Sequence, residues 1–194
     1  MPFVAAFLTV PDLIMRAVFL RGAFTSADAA AAGATLAAYA IGLIPFVTIR
    51  SAVSAFYARK DTATPVKASL TGLTVNVLLK IALMGSLAQI GLALATAIGA
   101  WINLLLVLGF AVRRGYLDLD RAWIKSLARF AGAGILTAAI LWLTARFGGV
   151  YFASMSVFRD ATVLLLLMAV GAFVYGFSIL VMFGRGWLFS LVRG

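Results

Sequence analysis

Apolar residues run along this chain in six stretches, separated by short polar breaks. A hydrocarbon core about 30 Å thick needs about 20 apolar residues of helix. The stretches near 3–20, 29–49, 65–84, 91–112, 123–145 and 161–183 meet or approach that length. The first is the weakest, because Pro11, Asp12 and Arg16 interrupt it. Gly42 and Pro45 are expected to bend the second. Pro65 suits the first turn of the third. The fourth carries no charge. The pattern predicts an all-α, polytopic membrane helical bundle of about six transmembrane helices.

Charge in the breaks gives the bundle an orientation. Arg50, Arg59, Lys60 and Lys67 lie between the second and third spans. Arg113, Arg114, Arg121, Lys125 and Arg129 lie between the fourth and fifth, and Arg185 and Arg193 follow the sixth. Eleven of the 16 basic residues thus fall on one side of the predicted membrane. The richer side is cytoplasmic by the positive-inside rule, so both termini are expected there. Trp123 and Trp187 near cytoplasmic span ends and Trp142 near an outer end read as an aromatic belt. Trp101, in mid-span, is expected to pack within protein.

Composition removes whole classes of function. The chain has 194 residues, 64% hydrophobic and 11% charged, with a mean hydropathy of +1.12. A soluble domain carries about 25% charge. With no Cys and no His, disulfides, zinc sites and imidazole acid–base chemistry are excluded. There is no Glu, and most of the six Asp fall in loops, so enzymatic acid–base machinery is not expected. The formal charge of +10 lacks interleaved aromatic platforms and points to anionic lipid rather than nucleic acid. No Gly-rich loop precedes a Lys-Ser/Thr pair.

Polar residues inside spans are the candidates for chemistry, since polar groups at membrane depth point at protein or a wet cavity. Asn76 and Lys80 are one turn apart on the third span, and Thr96 and Asn103 share a face of the fourth. Lys80, near a helix end, either snorkels or serves a buried ion or substrate role. Gly91, Ala95 and Gly99 form a small-residue face suited to close helix packing. Arg59, Lys60, Lys67, Arg113 and Arg114 form cytoplasmic basic clusters able to meet phosphate. No metal site is expected with certainty.

The stretch Phe56-Tyr57-Ala58-Arg59-Lys60-Asp61-Thr62-Ala63-Thr64-Pro65-Val66 resembles a cytoplasmic loop of the MurJ (MviN) family, the bacterial lipid II flippases of the MOP superfamily. That family shows Phe-Tyr-Ala/Ser-Arg-x-Asp-x-x-Thr-Pro-Val there. Arg21-Gly22-Ala23-Phe24-Thr25, Ala37-Ala38-Tyr39-Ala40-Ile41-Gly42-Leu43 and Gly91-Leu92-Ala93-Leu94-Ala95-Thr96 are similar to flanking blocks in the same order. The likeness covers about 18–112 and is only hydropathic beyond.

The resemblance implies the last six of about fourteen helices, with 1–115 in the C-terminal transporter lobe and 116–194 forming a lipid-tail groove. It implies outward movement of undecaprenyl-pyrophosphate-linked peptidoglycan precursor across the bacterial inner membrane by alternating access. Its partners would be lipid II, membrane lipids and the N-terminal transporter helices. Those helices carry most of the headgroup-binding arginines, and Met1 opens inside a span, so the chain is expected to be inactive alone. Some members bind a monovalent cation with residues matching Asn76 and Thr96. The Asp expected one turn after the Asn is Lys80 here, and an ammonium cannot ligate sodium. Three rivals are a non-transporting scaffold, another MOP-superfamily exporter of a lipid-linked oligosaccharide or a drug, and a membrane-bound transferase, for which Asp118 and Asp120 are the only close pair of acids.

Overall fold

The computed structural model describes residues 1–117, 120–151 and 159–183. Trp187, Arg185, Arg193 and Asp118 lie outside them. The described residues form α1 (Pro2–Thr9), α2 (Pro11–Phe19), α3 (Ser26–Tyr57), α4 (Ala63–Arg113), α5 (Arg121–Tyr151) and α6 (Arg159–Phe183), with no strand among them. Four of these helices are long and apolar enough to cross a membrane, and α1 with α2 forms a bent fifth candidate. The all-α membrane bundle is therefore present. Two compact units divide the chain, one of residues 1–33 with 122–194 and one of 34–121. The functional division at residue 115 is a different partition.

In the first unit the expected opening span is broken. Pro11 has no N–H to donate and forces the preceding residue out of the helical region; Val10 sits at φ −135°, ψ 41°. The two arms meet at 86°. At 8 and 9 residues they are roughly 12 and 14 Å long, too short for either to cross alone. Both pack on α6. Their core is Ala5 and Val10 against Leu141, Val163 and Leu167, and Arg16 pairs with Asp160 at 3.5 Å. The start of α3 is closed by a reciprocal cap. Thr25 N–H and Oγ1 donate to Asp28 Oδ2 at 2.9 and 2.7 Å, and Asp28 N–H returns a bond to Thr25 Oγ1 at 3.2 Å.

The second unit is built on α4, which is two helices. A straight helix of its 51 residues would be about 76 Å long, over twice the hydrocarbon core. It reverses at Ala88, whose φ of 46° and ψ of −126° are non-helical. The arms 63–87 and 89–113 return antiparallel: Gly91 faces Leu83, Gly99 faces Asn76 and Gly72, and Asn103 faces Gly72. They correspond to the third and fourth expected spans. Val66, Leu70, Leu73, Val77, Ile81 and Met84, three or four residues apart, are all exposed and form the lipid-facing stripe.

α3 runs helical to Tyr57, eight residues past its expected end. Pro45 lies inside it and is buried. A proline there leaves the carbonyl four residues earlier without its helical donor. That carbonyl is Ile41, and it accepts a 3.0 Å hydrogen bond from Trp101 Nε1. The mid-span tryptophan thus repairs the helix that Pro45 interrupts.

Candidate functional site

At one end of the 34–121 unit, the loop after α3 and the end of α4 meet. Each helix closes in the same way. Asp61 N–H donates to the Phe56 carbonyl at 3.0 Å and Lys60 N–H to the Tyr57 carbonyl at 2.9 Å. Tyr116 N–H donates to the Ala111 carbonyl at 2.8 Å and Gly115 N–H to the Val112 carbonyl at 3.0 Å. The left-handed position is Lys60 (φ 59°) in the first turn and Gly115 (φ 66°) in the second. The Phe56 and Tyr116 rings then meet edge-on, 5.3 Å between centroids.

This junction consumes two of the predicted rim cations. The Arg59 guanidinium lies 4.4 Å from the centre of the Tyr116 ring, and its Nη1 donates to the Ala55 carbonyl at 3.0 Å. Asp61 works in two directions. Its Oδ1 accepts from the Thr64 N–H at 3.2 Å, closing the first turn of α4. Its Oδ2 accepts from Arg114 Nη1. Lys60, Lys67 and Arg113 remain exposed, and among the described residues their side chains have no protein partner.

The Thr64 side chain, then its N–H and the Arg114 guanidinium, hold the Asp61 carboxyl below its ordinary value against partial desolvation. A carboxylate with a depressed pKa contributes stability above its unfolded value of about 3.9, lost as pH falls through the folded value. Asp61→Asn is therefore expected to lower the melting temperature at pH 7 and to narrow the gap between melts at pH 7 and pH 3. A mutant with the wild-type gap would sink this account.

Deeper in the same unit, Asn76, Thr96 and Asn103 converge with Ser69 on a pocket of about 200 Å³ between α3 and the two arms of α4. Thr96 Oγ1 donates to the Leu92 carbonyl at 2.9 Å. Asn103 Oδ1 is buried and has no hydrogen-bond partner among the described residues. Lys80 does not line this pocket and is half-buried one turn beyond Asn76. Gly72 escaped the sequence reading, although it lies one turn before Asn76 on the same face. It gives Gly99 and Asn103 room to approach. Gly91, Ala95 and Gly99 are all buried.

In the other unit, an apolar groove of about 420 Å³ runs between α1–α2 and α6. Phe3, Val10, Leu141, Leu167, Met168 and Tyr175 are among its walls.

Comparison with known proteins gives this membrane fold a family. The family described as "Lipid II flippase MurJ" matches residues 1–163. A "Probable lipid II flippase MurJ" of Rhizobium meliloti (strain 1021) is 35% identical over 143 residues, 74% of this chain and 27% of that protein. The "Lipid II flippase MurJ" of Burkholderia cenocepacia is 30% identical over 67% of this chain and 25% of its own length. A "Probable lipid II flippase MurJ" of Haemophilus influenzae is 28% identical over 91% of this chain and 34% of its own. The chain spans about a quarter to a third of the length of these relatives. A multi-pass membrane bundle, matched over residues 1–163 of its 194, belongs to the lipid II flippase MurJ family.

Proposed function

We propose that this chain contributes the C-terminal part of a lipid II flippase, moving undecaprenyl-pyrophosphate-linked peptidoglycan precursor across the bacterial inner membrane. The observation that carries the reading is the family match over residues 1–163. The task is alternating access around a hydrated cavity, with no covalent step. The end bearing Arg59, Lys60, Lys67, Arg113 and Arg114 lies on the cytoplasmic side, because the basic excess is there. Both termini share that side when the bent α1–α2 pair counts as one crossing. Residues 1–115 form cavity wall and rim. The apolar groove, walled by α6 and Leu141 of α5 within 116–194 and by α1–α2 within 1–115, takes the prenyl tail.

Coupling to a monovalent cation is proposed at Asn76, Thr96 and Asn103. Their neutral oxygens fit such an ion, and the unpartnered Asn103 Oδ1 is the kind of atom a cation satisfies. Lys80 stands outside the pocket lining, so its ammonium need not compete with the ion. A bound cation would supply charge alone, and these three side chains would orient toward it.

The test is a graft. This chain, replacing the matching stretch of the Burkholderia cenocepacia relative, is expected to restore growth to cells depleted of their own flippase. The chain expressed alone is expected not to. A graft that inserts in the membrane yet gives no rescue would overturn the reading.

A further inference from the structure

We propose that Trp101 is a positioning residue for the pocket that holds Asn76, Thr96 and Asn103. Its indole fixes the α3 wall of that pocket against the arm of α4 that carries Thr96 and Asn103. A monovalent cation as occupant rests on the function proposed above; the placement of the wall does not.

The pocket takes its polar side chains from α4, and from α3 only Pro45, Phe46 and Ile49. α3 therefore supplies enclosure rather than ligand oxygens. A closed apolar wall strengthens each ion–oxygen contact inside by lowering the local dielectric. That wall stands where α3 is interrupted. Pro45 has no N–H to donate, and its ring crowds the Ile41 carbonyl. Gly42, in the same turn, has no side chain to grip its neighbour. A Cβ there would lie 3.1 Å from Ala97 Cα, so the two helices meet at that point by backbone contact alone.

Trp101 adds a directed link. Its Nε1–H donates to the Ile41 carbonyl at 3.0 Å, across 60 residues of chain. The bond lies at an exposed edge of the unit, where a bilayer has no water to take over the carbonyl. In sequence Trp101 stands between Ala100 and Asn103, which line the pocket, without lining it itself. One indole thus joins the arm bearing two of the polar side chains to the turn of α3 that lacks its own bond. Binding groups must be held to within about 0.5 Å of their working geometry. With the link broken, Pro45, Phe46 and Ile49 are free to shift against that arm.

The carbonyl can be given its helical donor back, which separates this role from simple packing. Sodium affinity of the full chain in nanodiscs is read from the rise in melting temperature as sodium replaces choline. Trp101→Phe keeps a ring and loses the N–H, and it is expected to weaken sodium binding about fivefold. In the Pro45→Ala background residue 45 has an N–H for the Ile41 carbonyl, and the same change should cost less than about twofold. Equal losses in the two backgrounds, or none in either, overturn the proposal. If the wild type shows no sodium-dependent rise, the cation reading fails, and a thiol judges the wall instead. The chain has no Cys, so Ser69→Cys places a single thiol in the pocket lining. Its modification by a methanethiosulfonate should quicken about fivefold with Trp101→Phe, and less than about twofold when Pro45→Ala is also present. Equal or absent changes overturn the proposal there too. If Trp101→Phe does not fold, 3-benzothienylalanine at position 101, which keeps the indole shape with sulfur in place of N–H, decides on the same criteria.

Discussion

Gly99→Leu is expected to unfold the α4 hairpin. A Cβ added at Gly99 would lie 2.7 Å from Asn76 Cβ and 2.8 Å from the Gly72 carbonyl oxygen. Both obstacles sit on or beside the opposing backbone, so no side-chain rotation relieves the overlap. Leucine then adds three more carbons to a seam already at contact distance. Extra methylenes in a packed core commonly cost about 1–3 kcal/mol even when neighbours can shift. Here the neighbour is a helix, and total stabilities are only about 5–15 kcal/mol. Gly109→Leu is the control, because a Cβ there meets nothing within 4 Å. Thermal unfolding in detergent should separate the two sharply. Equal melting temperatures would mean that the arms do not pack at this seam.

Phe56→Ala should cost about 3–5 kcal/mol, the usual range for removing a buried aromatic. Phe56 is fully buried among Ala68, Val107 and Ala111, with Tyr116 edge-on against it. It therefore joins the end of α3, the first arm of α4 and the turn after the second arm. Its loss should also loosen the chain beside it, so trypsin should cut faster after Arg59 and Lys60. Tyr57→Ala, at a residue 57% exposed, should change neither reading much. A Phe56→Ala protein that melts and resists trypsin like the wild type would show that the junction is held by its polar contacts alone.

The spans were legible because hydropathy over about 20 residues is a strong, local signal. Pro11 was equally legible as an interruption, but an 86° bend depends on what α1 and α2 pack against, which no window reads. The basic loop illustrates the harder case. Arg59 and Arg114 carry the charge expected at a phosphate-facing rim. Their partners, Tyr116 and Asp61, lie 57 and 53 residues away, and only the fold brings them together. Trp101 gave half of its story: its place in mid-span excluded a belt role. Its target carbonyl could have been derived from Pro45 by counting back four residues, but the approach of α4 to Ile41 could not. Asn76, Thr96 and Asn103 were nominated by their cost at membrane depth, and the pocket that collects them rests on Gly72, whose lack of a side chain gave no polar signal.

The reversal at Ala88 also governs how the chain enters the bilayer. Glycine is the residue that tolerates such a backbone, and for alanine it costs of order 1–3 kcal/mol. Few polar residues lie near the turn: Ser86 and Gln89 are its uncharged neighbours. Two arms of about 25 residues joined without a hydrophilic loop form a single insertion unit, because leaving one arm outside would strand its apolar surface in water. The hairpin must therefore cross as a pair, carrying its apex to the far side with almost nothing projecting beyond the membrane. Proteases and surface-labelling reagents applied from that side would find scarcely any of the hairpin there, whereas its opposite end would offer them lysines and arginines.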